Sequence, residues 1–223
     1  MERAGILRQN NFIERLLIKP WFWIFTSIIM FSIPIYRSVN RELPPDLPVL
    51  YTLPEYELTD ENGKSFGSKD LKGKPYIANF HFTSCPTVCP ELMKETQVIQ
   101  KRVKGLGTKV GIVSFTVDPE TDKPEKLFEH ARTLGANPYV WKFLTETEAN
   151  LRSVIVDGFK VAMGDKEVSN NLYDIAHTQK YFLVDEQGRI RSMYSNTNKE
   201  INKMMIDLGL VVNKLIHSPR TKE

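Results

Sequence analysis

Cys85 and Cys89 are the only cysteines in the 223-residue chain, and they stand four residues apart in Thr83-Ser84-Cys85-Pro86-Thr87-Val88-Cys89-Pro90. Two thiols this close have three chemistries open to them. In a helical turn their Cα atoms would lie about 6 Å apart, within reach of a disulfide. Their thiolates could exchange disulfides with a partner. They could also grip a soft metal, and Cu(I) accepts a two-sulfur, low-coordination site. A purely structural disulfide gains least, because closing a loop of a few residues hardly constrains the unfolded chain. The pair is too small to be a structural zinc tetrad by itself.

A third donor would narrow the choice. The chain has four histidines. His217 lies in the C-terminal tail and His130 among charged neighbours on a predicted helix, and both read as solvated. His81, four residues before Cys85, reads as a satisfied core or rim histidine. His177 follows the polar segment 164–176 and precedes the apolar run YFLVD. A loop entering the sheet there could overhang the start of the cysteine helix. Two thiolates and one imidazole form a trigonal set suited to Cu(II). A loop-anchoring hydrogen bond is the plainer role for His177, and the residues alone leave both open.

Elements must hold these groups in place. YIANFHFT (76–83) is apolar and aromatic, which predicts a buried strand. A helix is expected from about Pro90 to Lys104, with proline in its first turn and Glu91 and Glu95 at the positive end of its dipole. The thiols then fall where a strand gives way to a helix, the end of an open α/β sheet at which ligands bind. Helix N-terminal amides also favour a thiolate. KVGIVSFTVD (109–118) predicts a second buried strand. Asp122-Lys123-Pro124-Glu125 reads as a helix start and Gly135 as its stop, while Thr145-x-x-Glu148 reads as another cap. YELTDENGKSF reads as a hairpin about Asn62-Gly63, and Gln187-Gly188 separates strands 181–185 and 189–195. A last helix is expected over about 200–216. Alternating strands and helices with hairpins at both ends predict an α/β fold, a mixed sheet sandwiched by helices. Trp141, Phe143 and Met93 read as core packing.

Charge and hydropathy set the surroundings. Residues 1–40 carry five Lys or Arg and two Asp or Glu, whereas residues 41–223 carry 25 of each sign. The body has no basic excess, which argues against nucleic acid as a partner. Residues 20–36 hold no charge and carry Trp21, Trp23 and Tyr36 at their edges, which predicts a single N-terminal transmembrane helix. No small-residue cleavage site follows it. Arg3, Arg8, Arg15 and Lys19 before the run outnumber Arg37 and Arg41 after it. The expected organisation is a cytoplasmic segment 1–19, an anchor 20–36, a Pro-rich spacer 37–54, an exported domain 55–217 and a tail 218–223. The reading is a single-pass protein of a bacterial inner membrane with its domain in the periplasm, in preference to a mitochondrial inner membrane.

Three blocks, YIANFHFTSCPTVCPELM, SFTVDPETDKPEKL and AHTQKYFLVDEQGRI, resemble the SCO (SenC) family in this order, over about residues 52–216. The resemblance implies a thioredoxin-like fold. It also implies a copper chaperone, binding Cu(I) and Cu(II), that helps assemble the dinuclear copper centre of cytochrome c oxidase. Cys85, Cys89 and His177 match the copper ligands. The implied partners are subunit II of the oxidase, or another copper-site acceptor, and a copper donor protein. Asp118 and Asp122 match acidic positions and read as a strand-end polar group and a helix cap. Thr87 and Ala176 stand where many members have Asp, and Lys123 where Thr is common; none of these is a ligand. The alternative is a periplasmic thioredoxin-like thiol–disulfide reductase, with Cys85 and Cys89 redox-active and Cys85 forming the mixed disulfide.

Overall fold

The computed structural model describes residues 19–39, 46–85, 89–164, 166–169, 172–175 and 179–217. The chain forms two compact units, 1–45 and 46–223.

In the first unit, helix α1 spans Pro20–Val39. Most of its large apolar side chains are exposed, from Ile29 at 44% to Tyr36 at 71%. Among the described residues no helix is long and apolar enough to cross a membrane. The transmembrane helix expected over 20–36 is therefore present as a helix, but a span is not established. Pro20, Thr26, Ser27, Ser32 and Pro34 dilute the apolar run and Arg37 closes it.

The second unit is built on an eight-stranded sheet. Its strands are β1 (Tyr51–Thr52), β2 (Glu57–Asp60), β3 (Ser65–Gly67), β4 (Tyr76–His81), β5 (Gly111–Thr116), β6 (Trp141–Thr145), β9 (Lys180–Val184) and β10 (Arg189–Ser195), in the order β1-β10-β9-β4-β5-β6-β2-β3. The central strands β4, β5 and β6 are parallel, and β9 runs antiparallel to β4. This is the mixed sheet expected. The β2–β3 hairpin turns where Asn62-Gly63 predicts, and Gly63 adopts φ +72°. The Asp60 carboxylate accepts from Asn62 N–H at 2.8 Å and Lys64 N–H at 3.0 Å. Every residue of β4 and β5 is buried, as their apolar runs require.

Helices cover the faces. They are α2 (Cys89–Val103), α3 (Pro124–Thr133), α4 (Glu148–Arg152), which runs on as a π-helical turn over Ser153–Gly158, and α5 (Asn198–His217). One face packs Ile77, Trp141 and Phe143 against Leu92 and Ile99 of α2, Leu127 of α3 and Met204 and Leu208 of α5. The other packs Phe80, Phe115 and Phe182 against Leu151, Ile155 and Phe159. Phe159 meets the Phe80 ring edge-on at 5.2 Å.

Segment 141–145 is a strand, with Trp141 and Phe143 fully buried, as their core reading expects. Three local expectations are corrected. The cap of α4 is Thr147, whose Oγ1 accepts from Asn150 N–H at 3.4 Å, and not Thr145, which ends β6. The polar segment 164–176 contains a two-stranded hairpin, β7 (Lys166–Ser169) with β8 (Leu172–Ile175). Residues 46–54 lie on the domain: β1 pairs with β10, and Leu53 N–H donates to Gly188 O at 2.9 Å. Arg191 donates to Pro48 O at 3.2 Å and to Leu47 O.

Candidate functional site

Strand β4 leads the chain through the core and on to Phe82, Thr83, Ser84 and Cys85. Cys85 N–H turns back to Phe82 O at 3.3 Å, and Cys89 opens α2. Both are thiols, exposed by 6% and 4%. They share one apolar cluster with Phe82, Val161 and Met163. The strand-to-helix placement expected of the pair is thus observed. Residues 86–88, Thr87 among them, lie outside the described residues. So do His177 and Ala176.

Two polar networks fix the elements on either side of the thiols. Beneath α2, Thr96 Oγ1 donates to Leu92 O at 2.7 Å, and Asn79 Nδ2 donates to Thr96 Oγ1 at 3.2 Å. The Tyr181 hydroxyl lies 2.9 Å from both Thr96 Oγ1 and Leu92 O. The first turns of α2 are therefore tied to β4 and β9. Buried side-chain bonds of this kind between elements favour one arrangement of a core.

The second network centres on Asp122, whose side chain is fully buried. Its carboxylate accepts from Thr83 N–H at 2.9 Å, from the Thr83 hydroxyl, and from the Thr116 hydroxyl at 2.6 Å. Asp122 is not the helix cap expected of it. The N-cap of α3 is Lys123, with no side-chain cap, and Pro124 fills the first helical position, where an N–H would have no helical partner. Asp122 instead joins the ends of β4 and β5 just before the cysteine loop. Asp118, 3% exposed, sits at the end of β5 as expected, its N–H donating to Thr116 Oγ1 at 3.0 Å. Lys126 of α3 completes the group: its ammonium donates to Ser84 Oγ at 2.8 Å and lies 3.8 Å from Asp122 Oδ1. Sequence reading missed this use of Asp122, Thr83 and Lys126; the polar Thr-Ser step after a buried strand is the one local signal for it.

The histidines divide. His81 is fully buried, as expected, but His130 is not the solvated residue expected: the two rings stack at 5.7 Å with 13° between their planes. Phe143 meets the His130 ring edge-on at 5.9 Å. Burial is the main influence on His130 and holds its pKa below 6.5; Asp122 opposes this and Lys126 adds to it. Among the described residues no group of three or more His, Cys, Asp or Glu is placed to hold a metal ion. The described donors at the site are thus two soft sulfurs. Strand β9 starts at the end of the sheet where β4 finishes, because Ala78 pairs with Phe182 and the strands are antiparallel.

A mixed α/β sheet with a paired thiol where its first central strand turns into a helix defines a class of thiol proteins with a fold consistent with the thioredoxin-like one. Within that class, the chain belongs to the SCO1/SenC family, whose pattern matches residues 49–211. A SCO1 protein homolog of Bacillus subtilis is 29% identical over 149 residues, covering 66% of this chain and 76% of the relative. The solved structure of ScoI of Bradyrhizobium japonicum with copper bound is 27% identical, with a TM-score of 0.63, covering 72% of this chain and 99% of that one. A structure of BsSco, described as identifying a disulfide switch in a member of the Sco family of cytochrome c oxidase assembly proteins, is 26% identical. Its TM-score is 0.64, and the match covers 76% of this chain and 98% of that one.

Proposed function

We propose that this chain is a copper chaperone in which Cys85 and Cys89 hold the metal and His177 supplies a third donor to Cu(II). The observation that carries the reading is the pair of buried thiols at the turn from β4 to α2, in a chain of the SCO1/SenC family. Both donors are soft sulfurs, the kind that suits Cu(I). Copper is cargo here. It leaves by ligand exchange: each copper–sulfur bond lost at Cys85 or Cys89 is replaced by one to an acceptor, and the metal keeps its oxidation state. The acceptor in this reading is a copper site of cytochrome c oxidase, subunit II above all, loaded in turn from a donor protein.

The same reading attaches the chain to a bacterial inner membrane through α1, with the second unit in the periplasm. Twenty helical residues extend about 30 Å. Most apolar side chains of α1 are exposed, a surface that favours a lipid environment. Alkaline extraction of membranes from cells expressing the full chain tests this, and release into the supernatant would refute it.

Anaerobic titration of the reduced full chain with Cu(I) and Cu(II) tests the chaperone. One copper per chain is expected, lost in Cys85→Ser and in Cys89→Ser. His177→Ala is expected to keep Cu(I) but alter the Cu(II)–thiolate charge-transfer band. Weak copper binding beside a readily cycled Cys85–Cys89 disulfide would instead leave a thiol–disulfide reductase, the reading favoured by the i, i+4 placement of the two thiols.

A further inference from the structure

We propose that Lys126 is a positioning residue for the thiol pair. Its ammonium, held between Ser84 and Asp122, fixes the segment that enters Cys85 and biases the pair toward its reduced, metal-ready state. The inference deepens the chaperone reading and rests on it for the role of the thiols.

The geometry is specific. An exposed lysine paired with an exposed carboxylate contributes almost nothing, because both side chains give up entropy to meet in water. Here one partner is fixed: Asp122 is fully buried and held by the Thr83 backbone, the Thr83 hydroxyl and the Thr116 hydroxyl. Lys126 therefore meets a carboxylate that cannot swing away. Its shorter contact, 2.8 Å, is to Ser84 Oγ, one residue before Cys85. Lys126 lies on α3, Ser84 beyond β4 and Asp122 beyond β5, so the cation joins three separate pieces of chain at the entrance to the loop. Its side chain is 41% exposed, which leaves the ammonium outside the core, bonded to the residue that precedes Cys85.

The direction of the effect follows from charge. When dithiothreitol reduces the pair, the Cys85–Cys89 S–S bond breaks and one S–S bond forms in cyclic dithiothreitol. Two electrons and two protons pass to the protein sulfurs. Any thiolate fraction leaves negative charge on them, and a dithiolate holding Cu(I) also carries a net negative charge. The disulfide carries none. A nearby cation therefore stabilises the reduced and the copper-loaded pair over the oxidised one.

The full chain, equilibrated with reduced and oxidised dithiothreitol at fixed pH, tests this. Lys126→Gln is expected to lower the equilibrium constant for reduction about threefold to tenfold, a midpoint about 15–30 mV more negative. Lys126→Arg, which keeps the charge and can still reach Ser84, is expected to restore it. Urea unfolding of each variant separates the shift from a loss of stability, which a half-exposed lysine should not cause. Copper is titrated into the same samples. A shifted midpoint with unchanged stability supports the proposal whether or not the wild type takes copper. A Lys126→Gln midpoint equal to that of the wild type overturns it even where copper binds.

Discussion

Asp122 and Asp185 are both fully buried carboxylates in segments that follow strands, at opposite ends of the same sheet. They are satisfied in different ways. Asp185 follows β9 near the start of β4, and arginines hold it: Arg189 lies at 2.7 Å and Arg191 at 3.0 Å. It also accepts from the backbone N–H groups of Gln187 and Arg189, both at 3.0 Å. Burial raises its pKa, but the bonds from Arg189, Arg191 and the backbone outweigh this and hold it below the usual 3.8. Arg191, 8% exposed, passes the restraint on to Leu47 and Pro48, so this end fastens the start of the domain. Asp122 has hydroxyls and one amide in place of guanidinium groups, and its cation is a lysine at 3.8 Å that spends its shorter bond on Ser84. The arginine end is neutralised in place and serves architecture. The hydroxyl end keeps a carboxylate that organises the loop carrying the thiols.

The comparison is broken most severely at Asp185. Asp185→Ala strands the buried Arg191 charge and should cost about 3–5 kcal/mol, read as a lower urea midpoint. The dithiothreitol midpoint of the thiols should stay where it was, and a shift of both would show that the two ends are coupled. Asp122→Ala leaves two hydroxyls and the Thr83 amide without their acceptor and should cost about 2–4 kcal/mol. Here the thiol midpoint should move together with stability. A smaller effect is expected from Tyr181→Phe, which removes the hydroxyl beside Leu92 O and Thr96 and should cost about 1 kcal/mol. It should also speed alkylation of Cys89 by iodoacetamide, since the first turns of α2 lose a tie to β9; an unchanged rate would show that the sheet contacts alone hold the helix.

What the sequence makes legible here is local. The apolar runs of β4 and β5, the turn at Asn62-Gly63 and the cysteine spacing each carry their meaning within a few residues, and each stands where it reads. The misreadings are contacts across the chain. Asp122 sits one residue before the N-cap of α3 and so looks like a cap, but its carboxylate reaches Thr83, 39 residues upstream. His130 looks solvated among Glu129, Arg132 and Lys126, yet it stacks on a histidine from β4. Strand 141–145 goes unread rather than misread: it is short and interrupted by Lys142, whose charge is absorbed by Asp60 at 2.8 Å and Glu61 at 3.0 Å. No periodicity in five residues announces that. Prolines 44 to 54 signal a spacer, and only the pairing of β1 with β10 shows that its end is fastened down.

The smallest expected effect separates the two ends by pH. His130 stacks on His81, faces the edge of Phe143, and feels Asp122 and Lys126. Its pKa is held below 6.5 in the folded protein, so between the two values the unfolded chain binds more protons. Stability then rises with pH there. Its contribution is complete above about 6.5 and is lost as pH falls through 6.5 toward the depressed value. Asp185, also depressed, keeps its contribution down to its usual 3.8 and loses it only as pH falls through its lower folded value. Lowering the pH from 8 to 5.5 should therefore weaken the cysteine end and leave the Asp185 end unchanged. His130→Phe keeps a ring against His81 and should flatten the profile over this range, while Asp185→Ala should leave its slope unchanged. A wild-type stability that is level from pH 8 to 5.5, or a slope that survives His130→Phe, would remove His130 as the cause.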